Sequence, residues 1–579
     1  MNKPIQKKYL RPILHCALLV TAIDVQAVNK IIASQFSFGS YTSYQVNIDA
    51  QGQNILGDRG NETTIAVNPT NPDNIVIGWR QLNSPPSPAL VQGGYAFSLD
   101  GGKTWNFPGI LPSESGQSLT DPVIAVDAQG IFYYQSLAHG AGVLNGIATY
   151  VFKSTDGGET WHNPVYQFSG DKNWIVIDRT DGASKGNIYS TWRAGESLDP
   201  NYVSKDFIRS TNKGLSYEEP DDRMPILFGF GRLTVGPEGN VYVSGKSEQS
   251  LDIETYLGTF YDGYYFMKSV NAKNPNVSPT FSIKKVEMGG HPVTFGINNP
   301  NRGGAIGDIA ISTDHSKSQL RGNIYMMVNL VPPGWETGDR MDVHFVSSSD
   351  KGETWSSPVR VNDDSASKNA YQWFPMMDVA SNSRIDAVWY DTRNSTGTKP
   401  YRTSQLFYAY SWDGGVTWSK NQPVTQPFDT HLPTIVIPST GQELQKDKMG
   451  DYTQLVSTDS GAHIAYTATY NGEQDVYYLN VFPDCNGNAQ SDVLDIKQNK
   501  SKDSNTNHIP DECETPKVLG DLDGDGDVDR SDLKLLMASR NLPASGPNDP
   551  KDINGDGKIT VRDARKLSFL CTRPRCAVN

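Results

Sequence analysis

The chain carries the octapeptide Ser98-Leu-Asp-Gly-Gly-Lys-Thr-Trp105 and repeats it with small changes. The further copies begin at Ser154, Ser210, Ser269, Ser348 and Ser411. Those that begin at Ser210 and Ser269 are less complete, since they lack the tryptophan. The starts recur with a period of roughly 60 residues, which is typical of a repeat architecture. The part of the chain from roughly residue 60 to 425 is therefore expected to be built from one small unit used many times.

Each octapeptide follows a short alternating apolar run, such as Tyr95-Ala-Phe-Ser98, which indicates a strand that ends in a turn. Aspartate can accept hydrogen bonds from backbone N–H groups within the turn, and glycine supplies a positive φ. Tryptophan can fold back over the hairpin as an apolar plug. At this spacing the motif resembles the Asp box, the S-x-D-x-G-x-T-W turn of sialidase-type β-propellers. The resemblance covers roughly residues 60–425. It implies a device of the fold that takes no part in the chemistry.

A three-strand pattern repeats between the turns. Its first unit consists of Thr63–Val67, Asn74–Trp79 and Gly94–Ser98. The later units start at Pro122, Trp174, Arg232, Asp308, Phe374 and Tyr452. The last unit has no Asp box and no fourth strand before Asp484, so a strand near Val46 would complete it. We therefore predict an all-β, seven-bladed sialidase-like β-propeller over residues 28–483, with four antiparallel strands in each blade. Six blades, as in sialidases proper, is the alternative.

Residues 1–27 have the pattern of a signal peptide: a basic start, a short apolar run and the small-residue cleavage site Val25-Gln-Ala27. No later stretch is long and apolar enough to span a bilayer. The sequence thus predicts a secreted protein, extracellular or attached to the cell surface, with the periplasm as an alternative. The even number of remaining cysteines favours disulfides in such a compartment. By proximity the pairs are Cys485–Cys513 and Cys571–Cys576.

The formal net charge of -13 argues against a nucleic-acid partner, because nothing offsets the repulsion of phosphates. Part of this acidity is local. In residues 484–516, Asp484, Asn486 and Asn488 place oxygen side chains on alternate residues, and Asp503 begins a second run of this kind that leads to Asp511. These runs are similar to the calcium loops of thrombospondin type-3-like repeats. A polar, disulfide-clipped linker is the alternative.

Residues 517–579 contain two loops with the spacing of EF-hand calcium loops, each followed by a predicted helix, Leu533–Ser539 and Ala564–Leu570. The candidate ligands are Asp521, Asp523, Asp525, Asp527 and Asp532 in the first loop and Asp552, Asn554, Asp556, Lys558 and Asp563 in the second. A pair of such loop–helix units, with Asp at position 12, resembles a type I dockerin. The resemblance implies bound calcium and a cohesin-bearing scaffold protein as partner. A calcium-stabilised terminal module without a cohesin is the alternative.

In a propeller of this kind the innermost strands start on the face opposite the Asp-box turns, where second strands end. The residues at these positions converge on one mouth. The candidate catalytic residues there are Glu62, Asp121, Asp171, Asp391, Asp451 and Tyr452. The candidate sugar-binding residues are Arg80, Lys172, Arg193, Trp373 and Arg393. Crowded carboxylates should divide into a protonated acid and an ionised partner, and arginines can hold the carboxylate of an acidic sugar.

Sialidases hold the substrate carboxylate with three arginines and use a tyrosine nucleophile and an aspartate acid/base. The resemblance implies Arg80, Arg193 and Arg393 as the clamp and Tyr452 as the nucleophile, with Asp121 or Asp171 as acid/base. The chain departs from the family, because the first blade has no Phe/Tyr-Arg-Ile-Pro motif and no tyrosine–glutamate pair is evident. For the arginines, salt bridges between blades are the alternative. For Tyr452, a packed core side chain is the alternative.

Taken together, these patterns predict a secreted glycoside hydrolase, similar to sialidases, that acts on acidic glycans or polysaccharides. Dockerins are commonly appended to polysaccharide-degrading enzymes, which favours this hypothesis. A polysaccharide lyase on the same fold is one alternative. A non-catalytic propeller that binds a glycan or a protein is another, favoured by the missing arginine motif.

Overall fold

A computed structural model gives the fold of most of the chain. It describes residues 34–82, 91–140, 143, 147–168, 170–193, 205–220, 224–225, 228–248, 261–293, 300–301, 309–334, 338–365, 369–396, 399–432, 434–436, 443–445, 448–506, 508–513, 519–523, 527–544 and 549–578. The predicted signal peptide, residues 1–27, lies outside these ranges. Within them, seven antiparallel sheets follow one another along the chain as the blades of a β-propeller.

Two strands precede the first blade, namely β1 (Gln35–Phe38) and β2 (Tyr41–Gln45). Blade 1 contains β3 (Arg59–Val67), β4 (Ile75–Leu82), β5 (Gln92–Ser98) and β6 (Asn106–Ile110). Blade 2 contains β7 (Gln117–Val126), β8 (Phe132–Gly140), β9 (Ile147–Ser154) and β10 (His162–Tyr166). Blade 3 contains β11 (Asp171–Ile177), β12 (Ile188–Arg193) and β13 (Phe207–Ser210). Blade 4 contains β14 (Phe228–Val235), β15 (Val241–Glu248), β16 (Tyr261–Ser269) and β17 (Ser282–Val286).

The remaining blades carry short additional strands. Blade 5 contains β18 (His291–Pro292), β19 (Ala310–Thr313), β20 (Ile324–Val331), β21 (Asp342–Ser348) and β22 (Val359–Arg360). Blade 6 contains β23 (Gln372–Val379), β24 (Ile385–Asp391), β25 (Thr403–Ser411), β26 (Gln422–Pro423) and β27 (Phe428–Asp429). A hairpin follows, formed by β28 (Thr434–Val436) and β29 (Glu443–Gln445). Blade 7 contains β30 (Gln454–Thr458), β31 (Gly461–Ala468) and β32 (Asp475–Val481).

The ring closes between distant parts of the chain. Strand β2 pairs with β32, so that Tyr44 lies opposite Tyr478, and β1 adds a further strand to the edge of blade 7. Beyond the paired strands, the Asn47 side chain accepts a hydrogen bond from the N–H of Val476 at 2.9 Å. The predicted closure of the last blade near Val46 is therefore confirmed. The alternative of six blades is wrong.

The repeated octapeptides form the turns at one end of the blades. In the first, Asp100 accepts hydrogen bonds from the backbone N–H and the hydroxyl of Thr104, at 2.9 and 2.8 Å. Trp105 is buried and its indole donates to the carbonyl of Gly102 at 3.0 Å. A Cβ atom at Gly102 would lie 2.1 Å from the ring of Tyr478 in blade 7. Glycine is needed there because the turn packs closely against the preceding blade.

Seven innermost strands surround the axis, namely β3, β7, β11, β14, β19, β23 and β30, and residues from all of them line a central cavity of about 160 Å³. Its charged lining includes Arg179, Arg232 and Asp378. Arg232 lies over the ring of Trp174, with its guanidinium carbon 3.9 Å from the ring centroid. The space along the axis is thus narrow, because side chains occupy most of it. The chemistry of the ring is expected where these strands begin.

The segment after blade 7 contains three helices: α1 (Asp492–Lys497), α2 (Arg530–Ala538) and α3 (Val561–Ser568). Helices α2 and α3 begin earlier than predicted, because Asp529 and Thr560 cap them. Both predicted disulfides, Cys485–Cys513 and Cys571–Cys576, are present. Among the described residues, no helix is long and apolar enough to cross a membrane.

Candidate active site

β-Bulges create the mouth of the propeller opposite the repeated turns. Five innermost strands shift register near their beginnings. In blades 1 to 3 the bulged residues are Glu62, Asp121 and Lys172, with φ of 55°, 49° and 54°. Such left-handed backbone costs roughly 1–3 kcal/mol in a residue other than glycine, and it is concentrated at functional sites. The bulges redirect these three polar side chains at the same end of neighbouring blades.

The three bulged residues join two residues that precede β30, forming an alternating chain of acids and bases. We call Glu62, Asp121, Lys172, Lys448 and Asp451 the lysine cluster. Lys172 lies between Asp121 Oδ2, at 3.8 Å from its Nζ, and Asp451 Oδ2, which it contacts directly. Lys448 also contacts Asp451 Oδ2 and lies 3.3 Å from Glu62 Oε1. The predicted convergence of Glu62, Asp121, Lys172 and Asp451 is thus observed.

Burial and charge shift the pKa values of the two acids beside Lys448, Glu62 and Asp451, in opposite directions. Burial raises the pKa of Glu62, and Lys448 and Lys172 oppose this only in part. Burial also disfavours ionisation of Asp451, but its contacts with Lys172 and Lys448 dominate and hold the pKa below its usual range. The pKa of Lys172 is raised well above its usual value, since the surrounding carboxylates outweigh its burial. A protonated acid beside an ionised carboxylate is the arrangement that acid-assisted bond cleavage requires.

The lysine cluster is closed on most sides. The side chain of Glu62 is 1% exposed and that of Lys172 is 7% exposed, whereas that of Lys448 is 29% exposed. Glu62 Oε2 is buried and has no hydrogen-bond partner among the described residues. Native proteins seldom leave a buried carboxyl oxygen without a hydrogen-bond partner, so this atom keeps unused bonding capacity. Lys448 was missed by sequence reasoning, because it lies in an irregular segment whose only signal is its position three residues before Asp451.

Tyr452 lies beside the cluster but is part of the core. It is 3% exposed, its ring packs edge-on against Trp174, and its hydroxyl donates to the carbonyl of Pro122 at 3.0 Å. A nucleophilic oxygen needs an adjacent base that takes its proton, and a backbone carbonyl cannot serve as that base. The position of the Tyr452 hydroxyl fits the packed alternative better than the role that the resemblance to sialidases implied.

A second group of charges lies where blades 5 and 6 meet. We call its members the arginine cluster: Asp339, Asp342, Arg360, Asp363, Asp364, Asp391 and Arg393. Arg393 donates to Asp391 Oδ2 at 2.9 Å and to Asp363 Oδ1 at 2.6 Å, and it lies over the ring of Phe407. Burial raises the pKa of Asp391, and Arg393 opposes this. Arg393 is therefore committed to carboxylates of its own chain, which is the salt-bridge alternative and does not fit a clamp for sugar.

The other predicted mouth residues occupy different environments. Trp373 is fully buried, stacks on Tyr390 at 4.4 Å between centroids, and donates to Ser404 Oγ. It therefore offers no face to a sugar. Arg80 and Arg193 are half-buried at the ends of β4 and β12, and Arg193 pairs in register with Asp171. Arg80 is close enough to lower the pKa of Glu62.

The predicted calcium loops bring carboxylates together. Oxygens of Asp521, Asp523 and Asp532 lie within 4.8 Å of one another, and so do those of Asp552, Asp556 and Asp563. Asp525 lies outside the described residues. Asn554, like Asp552, belongs to the second loop, and its N–H donates to Asp563. Asp527 and Lys558 stand at position 7, where an EF-hand loop supplies a backbone carbonyl.

Sequence reasoning missed two further carboxylates, one in the first of these loops and one in the segment that begins at Asp484. Asp529 occupies position 9 of the first loop, and its buried Oδ2 has no hydrogen-bond partner within the described part of the loop, which fits a cation ligand. In the earlier segment, Asp484 accepts the N–H groups of Asn488 and Ala489, and Ala489 takes the positive φ of 63° expected at position 6. Asp495, fully buried, stands at position 12. The spacing from Asp484 to Asp495 thus matches an EF-hand loop.

Comparison with known proteins adds distant similarities. No family model matches the chain. An ulvan lyase, long isoform, of Glaciecola sp. (strain KUL10) is 26% identical over 171 residues, which are 26% of this chain and 17% of that protein. This chain therefore matches only about a sixth of the length of that relative.

Several solved structures of low identity have a similar course of the chain. A PL25 ulvan lyase is 12% identical, with a TM-score of 0.41 over 78% of this chain and 94% of that one. An α-L-arabinanase of Penicillium chrysogenum is 13% identical, with a TM-score of 0.38 over 62% and 93%. A Hadza microbial sialidase is 13% identical, with a TM-score of 0.36 over 70% and 75%.

Proposed function

We propose that the propeller is a glycan-active enzyme that hydrolyses O-glycosyl bonds in acidic oligo- or polysaccharides at the lysine cluster. The observation that carries this proposal is the pair Glu62 and Asp451, one buried with a raised pKa and one held ionised by two lysines. Environments that push two neighbouring carboxyl groups apart in this way define an acid and its ionised partner.

In the proposed reaction Glu62 donates its proton to the glycosidic oxygen as the bond to the leaving sugar breaks. Asp451 remains ionised and bonds to the anomeric carbon as that bond breaks; water that gives a proton back to Glu62 then displaces Asp451, so that both carboxyl groups return to their starting states. The two carboxyl groups share the ammonium of Lys448, and a shared ammonium keeps them within roughly 6 Å because each hydrogen bond spans about 3 Å. This separation suits retaining hydrolysis, in which the carboxyl groups are about 5–5.5 Å apart, better than inversion.

The finer hypothesis of a sialidase is not what this geometry favours. Arg393 is committed to Asp391 and Asp363, and the hydroxyl of Tyr452 is committed to Pro122. An arginine clamp with a tyrosine nucleophile would need both groups at the mouth. We therefore assign the acid role to Glu62 and leave Asp121 and Asp171 as neighbouring carboxylates.

A polysaccharide lyase is the second candidate. The partial match to an ulvan lyase favours it, and so does the ammonium group of Lys448, which could neutralise a uronate carboxylate while a proton is removed beside it. The products separate the two reactions, since a lyase leaves an unsaturated uronate that absorbs in the ultraviolet and a hydrolase leaves a new reducing end without it.

The test is to incubate the full chain, with calcium present, with uronic-acid polysaccharides and sialylated glycans. Reducing ends without ultraviolet absorbance are expected, and they should be lost in Glu62→Gln. Glu353→Gln is a matched control, because Glu353 is an exposed carboxylate at a repeated turn on the opposite face. Binding without turnover of any substrate would instead establish the alternative of a non-catalytic glycan-binding propeller.

We further propose that residues 517–579 bind calcium as a dockerin-like module that tethers a secreted enzyme to a cohesin-bearing scaffold. The buried oxygen of Asp529 and the grouped carboxylates of both loops support the calcium sites. The loop of Asp484 and Asp495 is proposed as a further site. Calcium would neutralise carboxylates that otherwise repel one another.

Removing calcium with a chelator should therefore unfold the helices α2 and α3 and leave the strands of the propeller intact. Circular dichroism measures the helical signal, and intrinsic tryptophan fluorescence follows the propeller, whose turns contain Trp105 and Trp161. Restoring calcium should restore the helices. Unchanged helical signal in chelator would contradict the calcium sites, and capture by a cohesin would test the tether separately.

A further inference from the structure

Lys448 is held at the mouth by contacts that fix its backbone. The side chain of Asn61 donates to the carbonyl of Lys448 at 2.9 Å. Buried Asn301 bonds the next two residues: it accepts from the N–H of Met449 and donates to the carbonyl of Gly450, each at 2.8 Å. Hydrogen bonds from two amide side chains in other parts of the ring thus fix the position of this segment, although it belongs to no strand.

Gly450 brings this segment against the acid. Its φ is +90°, and a Cβ atom there would lie 2.8 Å from Cγ of Glu62. A larger residue would push the segment away from Glu62, so glycine sets the distance between Lys448 and the acid. The ammonium of Lys448 donates a hydrogen bond to Asp451 and lies 3.3 Å from Glu62 Oε1, and these two contacts occupy at most two of its three N–H groups. Its side chain is the most exposed of the lysine cluster, so a third N–H can face a molecule at the mouth.

We propose that Lys448 is the residue that selects acidic sugars, by binding the carboxylate or sulfate group of the substrate with its exposed ammonium. Lys172 cannot serve in this way, because its side chain is 7% exposed and lies between Asp121 and Asp451. The inference rests on the proposed function, since it places an acidic glycan at the same mouth.

Binding of the anion also acts on the acid. Lys448 favours the ionised form of Glu62 through its charge. A bound substrate anion competes for that charge and draws the ammonium away, so the protonated form of Glu62 becomes more favourable. Recognition of an acidic sugar and protonation of Glu62 are then coupled. A neutral sugar would neither bind to Lys448 through a charge nor favour the protonated form of Glu62.

The experiment measures binding to the full chain carrying Glu62→Gln, so that turnover does not interfere. The probes are tetrasaccharides of galacturonate, glucuronate and mannuronate and the same oligomers after reduction of their carboxyl groups. Isothermal titration calorimetry gives each Kd. We expect at least one acidic oligomer to bind about tenfold more tightly than its reduced form, the difference of one charge-assisted hydrogen bond. Adding Lys448→Gln should remove this preference, while Lys448→Arg should retain part of it.

Lys351→Gln is the matched control, because Lys351 is an exposed lysine paired with Glu238 at a repeated turn. It should leave the preference unchanged. As a second measurement, carboxyl NMR of the wild-type chain should show the midpoint of the Glu62 titration rising when the preferred acidic oligomer is bound, with no rise in Lys448→Gln.

The outcomes separate the two proposals. An acidic preference that survives Lys448→Gln, in a variant that melts like the parent, overturns the role of Lys448 and leaves the enzyme proposal standing. Equal binding of acidic and reduced oligomers likewise overturns the role of Lys448 and leaves the enzyme proposal standing. If no oligomer binds the Glu62→Gln chain and the wild-type chain cleaves none, the proposed function fails and this inference fails with it.

Discussion

The lysine cluster and the arginine cluster lie at the same end of the propeller and contain similar charges, yet their bonding differs. In the arginine cluster, Arg360 donates to Asp342, to Asp339 and to the carbonyl of Asp364 at 2.7–2.8 Å. Forked, short bonds of this kind satisfy both partners. In the lysine cluster, Glu62 keeps a buried oxygen that no described residue bonds. Lys448 keeps an exposed end.

This difference shows how to separate a site from a scaffold among charged residues at a propeller mouth. A guanidinium that already holds two carboxylates has little left to offer a ligand, and removing it leaves buried charges unpaired. A carboxyl oxygen and an ammonium with unused bonding capacity can accept a substrate at low cost. Position at the mouth made members of both clusters candidates for the site, and only the hydrogen-bond partners distinguish them.

Replacing the acid should give the largest effect. Glu62→Gln is expected to lower kcat by about 10²–10⁴-fold, the contribution typical of general acid catalysis. Stability should hold or rise, because an amide avoids the burial of a charge. Steady-state kinetics and thermal melting measure the two effects. Retained activity in this variant would show that Glu62 is not the acid, and the lysine cluster would then no longer differ in function from the arginine cluster.

The matching change in the arginine cluster should act on stability instead. Arg393→Ala leaves Asp391 buried without its partner, so the free energy of unfolding should fall by about 3–5 kcal/mol. Urea unfolding measures this change, and kcat per folded molecule should stay close to that of the wild-type chain. Arg393→Lys should be intermediate, because an ammonium cannot form the fork. Loss of sugar binding at unchanged stability would return Arg393 to the substrate clamp.

A third carboxylate group sharpens the comparison, because its hydrogen bonds come mainly from amides. Asp475 accepts from Asn47 and Asn471, and burial raises its pKa to about 8. The folded protein thus holds a proton that the unfolded chain releases above about pH 4. Stability from this group is complete at low pH and falls by up to about 1.4 kcal/mol per pH unit as the pH rises toward 8. Asp475→Asn should flatten the pH dependence of urea unfolding, and an unchanged slope would argue against the raised pKa.

The smallest effect is expected at Tyr452. Tyr452→Phe removes the hydrogen bond to Pro122, which should cost about 1 kcal/mol of stability and change kcat little. Thermal melting and kinetics on the same substrate test both statements. A loss of activity by orders of magnitude would instead give Tyr452 the nucleophilic role and bring the reaction close to that of sialidases.

Much of the fold was predictable because its signals are local. The octapeptides mark turns through residues close in sequence, and counting strand patterns gave seven blades and the closure near Val46. The grouping of carboxylates in the two C-terminal loops was predictable for the same reason, since the ligands of EF-hand loops follow a fixed spacing; calcium binding there stays a prediction. Asp495 and Asp529 were missed, although positions 12 and 9 of an EF-hand loop carry ligands.

The site was predictable only in part. Glu62, Asp121 and Lys172 could be placed at the mouth because they start innermost strands, but the bulges that redirect them leave no mark in the sequence. Nothing local distinguishes Arg393 from Arg80, because the partners of Arg393 at Asp363 and Asn421 come from other strands and loops. Lys448 lies outside every repeat. These features depend on contacts between distant segments, which spacing alone does not reveal.

The pairing of β2 with β32 has a consequence for biosynthesis. The hydrogen bond between Asn47 and Asp475 joins positions 428 apart in the chain, so the ring cannot be sealed until its last blade has been synthesised. Contacts of such long range are slow to form, and the incomplete ring presents two unpaired strand edges in the meantime. A ribosome that stalls before residue 475 would release a protein with both edges open, prone to joining others of its kind edge to edge.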